Sequence, residues 1–192
     1  MRLEVKLEDG CRICKSKNLL KILSLENCPL TDEFVKDNEN NEFIYPIEVF
    51  ACQDCGAAQT QHNVDYAEYY KNYNYDVLTS GFAGSFMEAL AKATKNIANS
   101  NSLDLSICEI GSGNGAQLIP FKNCGFDVIG IEPSEVLCNI AKENDVPTIH
   151  DLFVPGSAKK HFNKKYSFIL MTYTFDHLPD PLECLDECKS LL

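Results

Sequence analysis

Four cysteines fall in two identical short spacings. "CRIC" carries Cys11 and Cys14, "CQDC" carries Cys52 and Cys55, and 37 residues separate the pairs. Two thiolates spaced by two residues can grip one ion from a tight turn, and two such turns complete a tetrahedron. Soft sulfur donors in that geometry favour zinc, with iron as the minor alternative. Four protein ligands leave no open position, so the metal's role is structural. Gly56, directly after Cys55, tolerates the positive φ that such a turn demands. Cys28 and His62 are the substitutes should one thiol fall outside the set.

A second chemistry is written in "SICEIGSGNGAQLIPF", residues 106–121. Glycines at 111, 113 and 115 let a ligand lie against the backbone at the end of a strand. Gly111-x-Gly113-x-x-Ala116 fits a dinucleotide fingerprint. Glu109-x-Gly111-x-Gly113-x-Gly115 fits the loop that binds S-adenosylmethionine (SAM). The loop alone leaves both open. Glu109 would sit awkwardly beside a pyrophosphate, and SAM has none, so this acid favours SAM. Glu132, at the end of the next strand, can accept both hydroxyls of a ribose and serves either ligand. Asp151, after a third strand, is a candidate acceptor for an adenine amino group, with Leu152 or Phe153 against the ring. Thr172, after a fourth strand, completes the candidate cofactor-binding set.

These residues need a frame. From residue 105 the pattern alternates strand and helix: "LSICEI", "GAQLIPFKNCG", "FDVIGIEP", "SEVLCNIAKEN" with Ser134 as N-cap, "VPTIHD", "YSFILMTYT", then "DPLECLDECKSLL" with Pro181 in its first turn. Such alternation predicts a mainly parallel sheet with right-handed crossovers. The first 64 or so residues lack a helical period, and residues 42–62 read as strand, knuckle, strand, with Pro46 marking an edge or a strand start. Between the two lie a tyrosine-rich connector (66–82) and an amphipathic helix (85–98) whose apolar stripe is Phe82, Phe86, Leu90 and Ile97. The expected fold class is therefore α/β: a four-cysteine, β-rich zinc domain over 1–64, the connector and helix over 65–98, and a Rossmann-like SAM-binding domain over 99–192. That last domain holds few strands and ends on a helix, so the chain is expected to be the front part of a longer protein.

Composition narrows the partners. With a formal net charge of −11, phosphate-rich nucleic acid is repelled, which points to a small-molecule substrate. No apolar run is long enough to span a membrane, and "MRLEVKLEDG" has no signal-peptide core. The other six of the ten cysteines are scattered, so a metal site with buried free thiols in the cytoplasm is expected rather than a disulfide framework.

"MTYTFDHLPDP", residues 171–181, resembles the "VLEHVPDP"-type segment of class I SAM-dependent methyltransferases, with Asp176-His177 in place of Glu-His. Three motifs then stand in order, which resolves the loop in favour of SAM. "CRIC", "CPLTDEF", "YPIEVFACQDCGAAQ" and "YYKNYNY" resemble the zinc-binding front domain of the sugar C-methyltransferase family. The resemblance implies methylation of a carbon in a nucleotide-linked keto-deoxysugar: proton removal α to the carbonyl, then attack on the SAM methyl. It also implies that the catalytic base lies in a further domain. Within this chain the candidates are His177 and, at the family's tyrosine segment near the sugar, Tyr73 and Tyr75. Transfer to oxygen or nitrogen, or a non-catalytic chain keeping only the zinc and a partial SAM site, are the alternatives.

Overall fold

A computed structural model describes residues 4–29, 44–64, 69–70, 81–178 and 180–192. Tyr73 and Tyr75 lie outside them. The chain forms two compact units, Met1–Tyr69 and Tyr70–Leu192.

The first unit is built from short antiparallel pairings. β1 (Val5–Leu7) pairs with β5 (His62–Val64), while β2 (Leu19–Pro29), β3 (Ile44–Cys52) and β4 (Ala58–Thr60) form a three-stranded sheet in that order. β3 is thus central, where a proline is disfavoured because it cannot donate to the ladder. Pro46 is accommodated by position: β4 pairs only with Val49–Ala51, and the β2 register slips between Leu25 and Cys28, opposite Pro46. The eleven-residue strand β2 was not legible as a strand, because its residues show no clean alternation and most of its side chains are exposed.

The second unit holds the parallel sheet. β6 (Ser106–Ile110), β7 (Asp127–Glu132), β8 (Thr148–His150) and β9 (Phe168–Leu170) are all parallel, in the order β8-β7-β6-β9. Helices α1 (Gly81–Asn101), α2 (Ile119–Asn123), α3 (Glu135–Glu143), α4 (Ser157–His161) and α5 (Pro181–Lys189) accompany it. Register and period two sort the strand residues by face. Ile107 and Val128 join one core cluster with Ala91, Leu118, Phe121, Phe126 and Val146. Ile110 and Ile131 join the opposite one with Phe153, Ala158, Cys184, Cys188 and Leu191.

The Ser134 cap and the first-turn Pro181 match the expectation, and Asp180 adds a cap that the sequence analysis did not name. Ser134 accepts from Leu137 N–H at the start of α3, and Asp180 accepts from Leu182 and Glu183 N–H at the start of α5, with Pro181 in the first turn. Three expectations need correction. The stripe that α1 buries is Met87, Ala91, Thr94 and Ala98, while Phe82, Phe86 and Ile97 are at least half exposed and only Leu90 packs against the core. Small residues let α1 lie close to the unit's core, and that closeness outweighs side-chain size in choosing the face. The helix after the glycine loop is only Ile119–Asn123, because residues 111–118 form consecutive turns and Pro120 marks the helix start. The fourth strand is three residues long rather than nine.

Candidate functional site

The first unit brings Cys11, Cys14, Cys52 and Cys55 together, with all four sulfurs within 4.8 Å of one another. Cys11 Sγ lies 3.6 Å from Cys55 Sγ, and Cys14 Sγ lies 3.5 Å from Cys52 Sγ. A tetrahedron with Zn–S bonds of about 2.3 Å has sulfur–sulfur edges of about 3.8 Å, so the donors nearly occupy its corners already. The two turns are built alike. Lys15 N–H donates to Cys11 O and Gly56 N–H to Cys52 O; Cys11 N–H donates to Ser16 O and Cys52 N–H to Ala57 O. Lys15 adopts the same left-handed conformation as Gly56, at φ 60° and 78°. Sequence reading found the glycine and missed the lysine, which has no compositional signal for that conformation. Burial pushes the Cys11 thiol up, but N–H donors from Cys14 and Ile13 and the neighbouring thiols bring it down to about 7, while hydrogen bonding among the same thiols holds Cys14 and Cys55 up. Cys28 and His62 stand outside the cluster: Cys28 Sγ faces Leu25 O and Glu26 O, and the His62 ring packs edge-on to Tyr45. The four thiols fit zinc as a structural ion.

In the second unit the strand order turns back between β6 and β9. Ligands of open parallel sheets bind at such a point, outside the carboxyl ends of the strands. The loops leaving these two strands meet there. Gly111, at φ +70°, has no room for a side chain: a Cβ would lie 2.3 Å from Thr174 Oγ1. Gly115, at φ +75°, is packed against Val146 and Ala141. Gly113, at φ +54°, is different, because a Cβ there would meet open space. Two glycines are therefore demanded by packing, and the middle one leaves the backbone open to a ligand.

Glu132 spans the end of β7 and this loop. One carboxylate oxygen accepts from Gly113 N–H at 3.0 Å and the other from Ser134 N–H at 2.9 Å. Each oxygen keeps a second lone pair, the number a pair of ribose hydroxyls needs. Burial raises its pKa, opposed by those two N–H donors. Glu109 is completely buried, and neither of its carboxylate oxygens has a hydrogen-bond partner, nor does the buried Oγ1 of Thr172. Burial pushes the Glu109 carboxyl up to about 8, opposed by the nearby Thr172 hydroxyl and reinforced by the charge of Glu132. Asp151 is already engaged. Its Oδ2 meets Lys160 Nζ at 2.5 Å and His161 Nε2 at 2.6 Å, and its Oδ1 accepts from Leu152 N–H. Phe153 is 7% exposed and belongs to the core.

His177 ends a single 3₁₀ turn, Phe175–His177, tied back by its N–H to Thr174 O. Its side chain is exposed, with Asp176 Oδ2 at 3.8 Å and the Tyr70 ring edge-on at 6.3 Å. Thr174 and Ser112 are the contact residues that sequence reading missed. Gly130, in the middle of β7, was the available signal: a Cβ there would lie 2.1 Å from Ser112 Oγ, so a mid-strand glycine marks where the loop folds back on the sheet.

A glycine loop open at its centre, a strand-end acid tied to it and an unpaired buried carboxyl beneath it fit a cationic adenosyl ligand such as SAM. The family model of a methyltransferase domain matches residues 83–192, more than half of the chain. The chain belongs to the methyltransferase-domain family. A family model described as a zinc binding domain matches residues 11–70 and so includes all four clustered cysteines. The C-methyltransferase NovU of Streptomyces niveus is 25% identical over 189 residues, which is 96% of this chain and 44% of NovU. This methyltransferase-family chain thus spans less than half the length of that relative. Among solved structures, the plantazolicin methyltransferase BpumL, in complex with a pentazolic desmethylPZN analog and SAH, is 25% identical (62% of this chain, 46% of that one, TM-score 0.48). DesVI of Streptomyces venezuelae is 18% identical (62% and 54%, TM-score 0.45). Among the described residues no helix is long and apolar enough to cross a membrane.

Proposed function

We propose that the chain binds SAM and takes part in methyl transfer to a carbon of a nucleotide-linked keto-deoxysugar. The observation that carries this reading is joint. One C-methyltransferase aligns along 96% of the chain, across the four-cysteine unit and the glycine-loop unit together. The sugar class follows from the resemblance of "CRIC", "YPIEVFACQDCGAAQ" and "YYKNYNY".

When bound, SAM supplies an electrophilic methyl group on a sulfonium. The chain's own residues position it. Gly113 lets the ligand approach the backbone, Glu132 offers its free lone pairs to the ribose, and the turn carrying Thr174 closes against Gly111. Holding two reactants in line contributes most of the acceleration expected of such a site. The acceptor carbon, next to a keto group, becomes nucleophilic on losing its proton to a base. The turn after β9 offers two titratable side chains, Asp176 and His177, and His177 is the candidate base of the two. Zinc takes no part in this step and holds the first unit together. Asp151 reaches the adenine only by exchanging a present partner; Phe153 packs into the core rather than against a ligand, and Thr172, just past β9, keeps its hydroxyl buried.

The test is incubation with methyl-labelled SAM and a panel of nucleotide-linked keto-deoxysugars, with the product's labelled methyl located by NMR. A carbon-bound methyl next to the keto group is the expected result. A methyl on oxygen or nitrogen overturns the C-methylation reading and leaves the cofactor assignment standing.

A further inference from the structure

Buried polar atoms without partners are few in folded proteins, because each forgoes its hydration and gains nothing in return. Among the described residues five such side-chain atoms occur: both carboxylate oxygens of Glu109, Ser112 Oγ, Gln117 Oε1 and Thr172 Oγ1. All five belong to β6, to the glycine loop and the residues just after it, or to the segment leaving β9. Unpaired polarity is therefore concentrated under one loop.

Glu109 stands at the centre of that group. Its register partners are Gly130 on β7 and Leu170 on β9. Gly130 offers no side chain, Ser112 folds over it, and Leu170 is apolar, so nothing on either neighbouring strand solvates the carboxyl; the Thr172 hydroxyl just past β9 favours its charged form, but burial outweighs it. The charged group acting on it is a second acid, Glu132, and its immediate neighbour Cys108 is a buried thiol that burial keeps protonated. His150, the base beyond β7, acts on Glu132. An ionised carboxylate in such surroundings is disfavoured, so near neutral pH the protonated carboxyl predominates.

We propose that Glu109 senses the charge of the methyl donor: it keeps a proton while the site is empty or holds the demethylated product, and releases it when the sulfonium donor binds. This rests on the reading of the site as a SAM site. SAM carries one net positive charge, from a sulfonium, an ammonium and a carboxylate, whereas the demethylated product is a neutral zwitterion. A cation brought into a dry site lowers a nearby carboxyl by about one to three pH units. Glu109 therefore ionises on donor binding and passes its proton to solvent. When the methyl leaves, the sulfur keeps the electron pair of the broken bond and becomes neutral, and Glu109 takes a proton back. The acceptor carbon loses its own proton to the base, so one proton per turnover reaches solvent in total. The gain is discrimination: product and donor differ by one methyl, a small difference for contacts alone, but by a full charge for Glu109.

The experiment is titration calorimetry of the chain with SAM and with its demethylated product, in buffers of different ionisation enthalpy, between pH 6 and 8. Expected for SAM is proton release on binding and an affinity that rises about five- to fortyfold across that range. The demethylated product is expected to bind with no proton release and with less than about twofold change. Equal proton counts and equal pH slopes for both ligands overturn the inference while leaving the SAM site standing. Failure of both ligands to bind at any pH overturns the SAM-site reading itself. In Glu109→Gln the donor-linked release should vanish; its persistence assigns the proton to Glu132 and overturns the role given to Glu109. If that variant does not fold, the wild-type comparison of donor and product decides alone.

Discussion

Between residues 4 and 64 the described side chains that are fully buried are Cys11 and Cys52, two of the metal-site cysteines. Between 81 and 192 two apolar clusters flank a parallel sheet, with Phe121, Leu118 and Ile110 almost wholly enclosed. In the first unit Leu20, Ile22, Leu23 and Leu25 are about half exposed on β2. A segment of that size that buries so little cannot offset its chain entropy by apolar contact, so a cross-link must. The second unit needs no metal, because its sheet is covered on both faces. The first unit is held by four bonds to an ion and the second by many weak contacts.

Removing the ion is the sharpest way to break that comparison. Chelation, or Cys52→Ser, should unfold the first unit outright, an effect on the order of 10 kcal/mol, since metal binding and folding are one process there. Circular dichroism should show the loss, and thiol titration should find the metal-site cysteines newly reactive, four after chelation and three in Cys52→Ser, while the melting transition of the second unit stays where it was. Coincident loss of both transitions would sink the idea that the units are stabilised separately.

A packing change should do the reverse. Gly130→Ala places a methyl against Ser112 Oγ, and overpacking of this kind costs about 1–3 kcal/mol. Chemical denaturation should show the loss in the second unit only, with the zinc content unchanged. Ser112→Gly in the same chain should restore most of it, because the clash is with that side chain.

The smallest effect is expected at Asp151. Lys160 beside it, opposed by burial and joined by His161, holds its carboxyl down to about 2. A depressed acid contributes stability that is complete above its unfolded value near about 3.9 and is lost as pH falls through about 2. Lys160 is largely exposed, so Asp151→Asn should cost under about 1 kcal/mol near neutral pH, and the variant should converge with wild type at low pH. A larger loss at neutral pH would mean the pair supports the loop after β8 rather than decorating it.

The metal site was legible because its information is local. A C-x-x-C spacing states its own geometry, and doubling it leaves one tetrahedral solution for Cys11, Cys14, Cys52 and Cys55. The places of the glycine loop and Glu132 at strand ends were legible for the same reason, and so was the cap Ser134, which acts within a turn. The buried face of α1 was not. Periodicity marked Phe82, Phe86 and Ile97, but which stripe of a helix turns inward depends on what it packs against, and here the neighbours accept Met87, Ala91 and Ala98.

What the sequence determined by itself, then, is chemistry fixed by spacing along the chain: four thiols for one ion, three glycines at a strand end, an acid two residues before them. Only the tertiary structure decided that Thr174 closes on Gly111, that Ser112 fills the place of a side chain at Gly130, that Lys160 and His161 occupy Asp151, and that Glu109 is left buried without a partner. Those contacts join residues 9 to 63 positions apart, and no local pattern records them, because they exist only once the strands lie side by side.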